Sequence, residues 1–131
     1  MGLAEYLVSC AGRKFEWGVH DCCTFTADWW NAETGKDPLE KFRGTYSTKR
    51  EAVKEILRFG SLRNAWASEM GECSETLSAG SVGIIKALLD GGLGECGAIY
   101  TGSRWAALSE HGVFYSMPDS DDILGHWNPH G

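Results

Sequence analysis

The chain passes from loop to helix in the stretch Phe15-Glu16-Trp17-Gly18-Val19-His20-Asp21-Cys22-Cys23-Thr24-Phe25. Asp21 is a good N-cap residue, and a helix is predicted to follow from about Cys22 to Glu33. Cys22 then lies in the first helical turn, where unpaired N–H groups and the helix dipole favour a thiolate. Because the thiolate is the reactive form of cysteine, Cys22 is the best nucleophile candidate in the sequence.

Three further helices are predicted from apolar spacing, capping residues and terminal glycines. They cover about residues 3–11, 47–59 and 61–70, and are followed by Gly12, Gly60 and Gly71. In the second of them, Val53, Ile56 and Leu57 form an apolar stripe that is expected to face the core.

From about residue 80 onward the apolar residues follow a strand-like pattern. Strands are predicted over 81–85, 96–101, 104–108, 113–117 and 123–127, with a loop at 90–94 and a hairpin turn at Gly102-Ser103. Helices followed by antiparallel strands indicate an α+β domain. At 131 residues the chain is expected to form one domain, with a helical half of about 1–71 and a sheet half of about 80–127.

Composition argues against several classes of partner. The chain has 12 basic and 18 acidic residues, which gives a net charge of −6. A nucleic-acid-binding protein is instead expected to have a basic surface that contacts the phosphates. The negative net charge gives no steering toward anionic membranes, and no apolar run reaches the roughly 18 residues of a membrane span. The first five residues lack the pattern of a signal peptide. Neither a nucleic-acid nor a membrane partner is therefore expected.

Five cysteines without regular spacing favour free thiols in a reducing compartment. Cys10 and Cys73 are expected to pack as small hydrophobic side chains. Cys22 and Cys23 leave the helix axis about 100° apart, so one is expected to face a groove and the other the core. Their adjacency suits zinc poorly, since zinc ligands are usually spaced along the chain, and no cofactor is predicted.

Several segments together resemble a known enzyme family. An aromatic-x-Trp-Gly turn followed by Asp-Cys is matched by Phe15-Glu16-Trp17-Gly18 and Asp21-Cys22, and Gly80-Ser81-Val82 stands where the family has Gly-Asp-Val. Cys96-Gly97-Ala98-Ile99-Tyr100-Thr101-Gly102 is similar to its strand His-Val-Gly-Ile-Tyr-x-Gly. Over about residues 13–117 the chain thus resembles the NlpC-type, papain-like cell-wall cysteine peptidases. The run from Asp21 to Trp29, with Thr34-Gly35-Lys36-Asp37, resembles a phage and prophage branch of unknown function.

The resemblance implies a papain-like fold, with N-terminal helices packed on an antiparallel sheet of about four to five strands. It also implies that Cys22 is the nucleophile. The family's catalytic His, however, corresponds to Cys96, and its third polar residue falls near Ala107 or Leu108. The nucleophile position therefore carries over, whereas the positions that would activate it do not.

Another histidine would then have to serve as the general base, which must come within hydrogen-bond reach of the thiol. The candidates are His20, His111, His126 and His130. His111, with Glu110 as its orienting neighbour, is the preferred choice because it follows the third predicted strand beside the expected groove. For Cys96, packing on the inner face of a strand competes with a reversible disulfide to Cys22.

Two functions follow from this pattern. In the first, the chain is a catalytically silent relative that acts as a module in phage tail assembly, in the cytoplasm or the virion. In the second, Cys22 and His111 hydrolyse amide bonds of peptidoglycan stem peptides through an acyl-enzyme. The partners are accordingly phage tail proteins or a peptidoglycan peptide. Trp17 either walls the substrate groove or packs its loop onto the core.

Overall fold

The structure is a computed structural model that describes residues 1–89 and 92–131. Within these residues the helices are α1 (Leu3–Ala11), α2 (Cys22–Thr34), α3 (Lys49–Leu57) and α4 (Leu62–Met70). The strands are β1 (Val82–Leu89), β2 (Gly92–Tyr100), β3 (Trp105–Ser109), β4 (Gly112–Ser116) and β5 (Ile123–Trp127). A short 3-10 helix, Ser120–Asp122, precedes β5. The longest described helix has 13 residues, and none is long and apolar enough to cross a bilayer.

The five strands form one sheet in the order β4-β3-β2-β1-β5, and every neighbouring pair is antiparallel. Helix α2 packs against β2 and β3 at the centre of this sheet. The predicted α+β class, with helices first and an antiparallel sheet of about five strands afterwards, is therefore confirmed.

Local signals predicted the ends of the helices well. Asp21, Thr48 and Ser61 are the N-caps of α2, α3 and α4, and each side chain accepts a hydrogen bond from a first-turn N–H group. Gly35 ends α2 in the left-handed conformation, with φ of 77°. Helix α3 ends at Leu57, two residues earlier than the predicted Phe59.

The core stripe expected for α3 is confirmed only at Ile56, which is half-buried against the main core. Val53 is 44% exposed and Leu57 65% exposed, whereas Ala52 is the buried residue of this helix. The reason is tertiary: α3 packs beside α4, and Val53 lines an open cleft.

The hairpin of β1 and β2 is longer than the sequence predicts. Pairing continues from Val82↔Ile99 to Leu89↔Gly92, so Gly92–Gly94, predicted as loop, lie in a strand. Opposite charges at Lys86 and Glu95 face each other across the pair, and such cross-strand pairs offset the weak strand preference of glycine. Residues 90 and 91 of the predicted loop lie outside the described residues.

The main core lies between the helices and one face of the sheet. Its centre joins side chains of α2 to side chains of the strands, namely Phe25, Ala27, Trp29, Val82, Ile84, Ile99, Ala106 and Leu108. A second, smaller cluster lies on the other face and contains Ile85, Ala87, Cys96, Ala98, Trp105 and Ala107. Cys22 contacts this second cluster.

Gly97 allows α2 to approach β2 closely. A Cβ atom at this position would lie 2.7 Å from Thr26 Oγ1 and 3.1 Å from the carbonyl oxygen of Cys22. Both distances are shorter than ordinary van der Waals contact, so a larger residue would push the helix away. The glycine of β2 thus places the head of α2, and Cys22 with it, directly against the strand.

Candidate functional site: thiols at the head of α2

A capping box fixes the first turn of α2. Asp21 Oδ1 accepts hydrogen bonds from the N–H groups of Cys23 and Thr24, each at 2.9 Å. In return, Thr24 Oγ1 accepts from the Asp21 N–H at 2.8 Å. These bonds satisfy donors that a helix otherwise leaves unpaired, so the backbone around Cys22 is held rigidly.

The second carboxylate oxygen of Asp21 ties the preceding turn and a distant loop to the same point. Oδ2 accepts from the Gly18 N–H at 2.8 Å and from the Tyr46 hydroxyl at 2.7 Å. Gly18 has φ of 85°, and a Cβ atom there would overlap the carbonyl oxygen of Tyr46. A side chain at position 18 would therefore block this turn.

The surroundings of Cys22 favour its thiolate. A hydrogen bond with the Cys23 thiol is the largest influence and lowers the pKa of Cys22, and the N–H groups of Gly97 and of Cys22 itself lower it further. Burial and the negative charge of Asp21 act in the opposite direction, yet the net pKa lies below the ordinary value of 9.0. Cys22 is half-buried, so part of the residue stays accessible to solvent.

Cys23 has the complementary state. Its hydrogen bond to Cys22, followed by burial, raises the pKa of Cys23 well above the ordinary value, although the Trp66 side chain acts to lower it as a hydrogen-bond partner. Cys23 is therefore a neutral thiol that donates to Cys22. As expected, the adjacent cysteines have different neighbours, since Cys22 packs against the second cluster and Cys23 against the main core. Both nevertheless line one cleft.

Cys96 is placed near Cys22, as the resemblance implied. It is 2% exposed, packed in the second core cluster and opposite Ile85 in the sheet. Burial raises the pKa of Cys96 far above its ordinary value, and the nearby charge of Cys22 raises it further. Ala107 and Leu108 are both buried in the core.

His20 has a structural position. It is 1% exposed, and its Nε2 lies 3.3 Å from the carbonyl oxygen of Cys10. Burial lowers the pKa of His20, and its Nδ1 has no hydrogen-bond partner among the described residues. Cys10 is itself 1% exposed, as predicted, whereas Cys73 is only half-buried and accepts a hydrogen bond from Arg63.

The other three histidines lie in β5, in the C-terminal segment and in the turn between β3 and β4. Burial lowers the pKa of His126 in β5, and Nε2 of His130 lies 3.2 Å from Glu33 Oε2. His111 lies in the exposed turn between β3 and β4, where its N–H donates to Ser109 Oγ at 3.1 Å. Among the described residues, the groups that most strongly set the pKa of Cys22 include no histidine. The role of His111 as base stays a prediction.

An apolar cleft of about 210 Å³ opens beside the two thiols. Its walls come from the head of α2, the link before α3, the helices α3 and α4, and the β1–β2 hairpin. The side chains that line it include Trp17, Cys22, Cys23, Leu39, Phe42, Tyr46, Val53, Ile56, Phe59, Leu62, Ala65, Trp66 and Leu89. Trp17 thus lines the cleft, and it also packs edge-on against Phe15 with ring centroids 4.9 Å apart.

Sequence reasoning missed two residues of this site. Tyr46 lies in a polar link and Trp66 lies in α4, so no local pattern ties either to Cys22 or Cys23. Only the packing of α4 and the link against the head of α2 brings them there. In the described part of the chain, no three His, Cys, Asp or Glu side chains are grouped to hold a metal ion.

Comparison with known proteins adds the family. A family model described as "Domain of unknown function (DUF6950)" matches residues 1–127. No curated protein and no solved structure matches the chain. Because the matched range covers nearly all of the 131 residues, the protein belongs to the DUF6950 family.

Proposed function

We propose that this protein is an NlpC-like, degenerate cysteine-hydrolase fold that acts as a tail or assembly module of a phage or prophage. The single observation that carries the proposal is the state of Cys96. It occupies the position of the family's catalytic base, is 2% exposed, and has a raised pKa. The phage context comes from the resemblance of the segment around Asp21-Cys22-Cys23.

Hydrolysis through an acyl-enzyme needs a base twice. The base first assists attack by the thiol and protonation of the leaving amine, and it then activates the water that releases the acyl group. A buried thiol whose pKa is raised accepts no proton at neutral pH. Cys96 therefore supplies neither step, and the apolar Ala107 and Leu108 provide no orienting partner.

The lowered pKa of Cys22 favours a second candidate, an active thiol hydrolase. In that case a preformed thiolate attacks a peptidoglycan stem-peptide amide, and the Cys22 N–H contributes to the oxyanion site. A base must then come from elsewhere, and His111 is the predicted residue. The two candidates differ in whether amide hydrolysis depends on Cys22 and a histidine.

The test is to incubate the purified protein with peptidoglycan stem peptides and to quantify new amines by mass spectrometry. We expect release by the wild type to equal that of Cys22→Ser. Release that is lost in both Cys22→Ser and His111→Ala, and kept in the exposed-site control His130→Gln, would contradict the silent module and support the hydrolase.

Cys96→His sharpens the test, because it restores the family's base position. We expect this variant to react faster with iodoacetamide at Cys22 than wild type does, since a neighbouring imidazolium stabilises a thiolate. The buried site is tightly packed, so a cost of about 1–3 kcal/mol in stability is expected. Circular dichroism and the urea midpoint establish that the variant is folded.

A further inference from the structure

The cleft beside Cys22 has the chemistry of a site for an apolar chain. Its lining is predominantly aliphatic and aromatic, with Phe42, Ile56, Phe59 and Leu62 among its walls. Cys22 and Cys23 belong to the same lining, so a chain in the cleft would have a sulfur nucleophile beside it. Small-molecule sites usually combine such apolar walls with a few placed polar groups.

We propose that Cys22 is an acyl-acceptor site, which takes an acyl group from a thioester and keeps the apolar chain in the cleft. The Cys22 thiolate attacks the thioester carbonyl carbon, and a new S–C bond forms. The bond to the donor sulfur breaks, and the donor leaves as a thiolate that takes a proton from water. One thioester is exchanged for another, so no oxidant, reductant or metal is required.

The thiol environment selects thioesters over amides. A thiolate is a good leaving group, so transfer from a thioester needs no acid to protonate it, unlike transfer from an amide. A lowered pKa of Cys22 supplies the attacking form without a base. Release of the acyl group by water does need a base. The persistence of the adduct therefore rests on the silent character proposed above, whereas its formation does not.

Charge around the cleft disfavours a free fatty acid. Among the described residues of its lining, the acidic side chains are Asp21, Glu55, Glu69 and Glu95, and the basic one is Lys49. Glu69 is paired with Lys41, which leaves the lining negative overall. A carboxylate ligand would meet this net negative surface, in a protein with a net charge of −6. An uncharged acyl chain attached through a thioester carbonyl avoids that repulsion.

The volume of the cleft sets the size of the group that it can bury. An apolar protein cavity of about 150 Å³ binds benzene. The cleft, at about 210 Å³, therefore has room for a somewhat larger group. An acyl chain of about six carbons fits this limit, whereas an acetyl group would leave most of the cleft unfilled.

The test uses uncharged N-acetylcysteamine thioesters of acetate and hexanoate, with the intact mass of the full chain followed over time. Rates are divided by those of N-acetylcysteine, which removes intrinsic reactivity. We expect one adduct, mapped to Cys22 and cleaved by hydroxylamine, forming about tenfold faster with hexanoyl than with acetyl because the longer chain is buried. Cys22→Ser should abolish the adduct, and Cys73→Ser is the matched thiol control.

A cleft-filling variant separates chain binding from thiol reactivity. Ala65→Phe fills the cleft, and Ala32→Phe adds the same ring at an exposed site on α2. We expect the hexanoyl preference to fall toward one in Ala65→Phe and to persist in Ala32→Phe, with iodoacetamide labelling of Cys22 retained in both. Equal normalised rates for acetyl and hexanoyl in wild type, or no adduct at Cys22, would overturn the inference and leave the silent module standing. Repeated turnover with a hexanoyl preference would support the acyl site and overturn the silent module.

Discussion

The head of α2 and the middle of β2 meet at one point but hold their cysteines in opposite electrostatic states. At the helix head, the Asp21 capping box holds the backbone and hydrogen-bond donors lower the pKa of Cys22. At the strand, Cys96 is buried and its pKa is raised. One side of the site is thus built to hold a thiolate, and the other offers a thiol that takes up no proton.

The difference teaches that a lowered thiol pKa has two separable sources. In papain-like enzymes a histidine stabilises the thiolate as an ion pair. Here the stabilisation comes from neutral donors, chiefly the Cys23 thiol and the Gly97 N–H. Neutral donors stabilise the anion without accepting its proton, so activation of water at such a site requires a separate base.

The largest expected effect comes from removing the anchor of the helix head. The Asp21 carboxylate accepts hydrogen bonds from the N–H groups of Gly18, Cys23 and Thr24 and from the Tyr46 hydroxyl. Asp21→Ala leaves these four donors without an acceptor, so we expect the unfolding free energy to fall by about 3 kcal/mol. Thr48→Ala removes the exposed N-cap of α3, which accepts at 3.2 Å from Glu51, and should cost about 1 kcal/mol. Urea unfolding of both variants measures the difference. Equal losses of unfolding free energy in the two variants would show that the buried cap of α2 stabilises the protein no more than the exposed cap of α3.

The contact between helix and strand is tested at Gly97. Gly97→Ala places a Cβ atom 2.7 Å from Thr26 Oγ1, so we expect a loss of stability of about 2 kcal/mol. The shifted helix head should also make Cys22 react more slowly with iodoacetamide. Gly12→Ala is the matched control, since its Cβ atom would lie 3.9 Å from its nearest neighbour. Unchanged stability and labelling in Gly97→Ala would contradict the close approach of α2 to β2.

The start of α2 and the cleft beside it illustrate which features the sequence could predict and which it could not. Local chemistry predicts Asp21 as the N-cap of α2, and the structure has it there. The cleft depended on tertiary packing instead. Whether Val53 faced the core or an open cleft was decided by how α3 packs beside α4, which is not encoded in the helical period.

The thiol pair shows the same limit at shorter range. Helical geometry separates adjacent side chains by about 100°, which predicted different surroundings for Cys22 and Cys23. The two cysteines do pack against different core clusters. At the open first turn, however, both also line the same cleft, and each is the largest influence on the pKa of the other. The position of Cys96 beside Cys22 followed from the family resemblance, whereas its electrostatic state required its burial to be known.

A smaller effect is expected from the donor to Cys22. Cys23→Ala removes the S–H group, so we expect the pKa of Cys22 to rise by about one unit, or about 1.4 kcal/mol. Cys23→Ser keeps a hydroxyl donor at the same place and should leave the pKa nearer to that of wild type. The pH dependence of iodoacetamide labelling measures both variants. An equal rise in the two would show that hydrogen bonding by Cys23 is not the cause.

The smallest effect concerns acid stability, away from the thiols. Burial lowers the pKa of His20 below its ordinary 6.5, so below about pH 6.5 the unfolded chain binds more protons than the folded one. The unfolding free energy should therefore fall as the pH drops from 7 to 5. His20→Gln should reduce this dependence, whereas His130→Gln, at an exposed site, should keep it. An unchanged urea midpoint in wild type at the two pH values would contradict the assignment.

The most direct measurement is the pH profile of Cys22 alkylation in the wild type and in His111→Ala, with the labelled peptide quantified by mass spectrometry. If neutral donors hold the thiolate, both proteins will show one ionisation, at the same pH and below the ordinary thiol value of 9.0. A Cys22 pKa at or above that value in wild type, or a Cys22 pKa that rises in His111→Ala, would contradict the claim that neutral donors hold the thiolate.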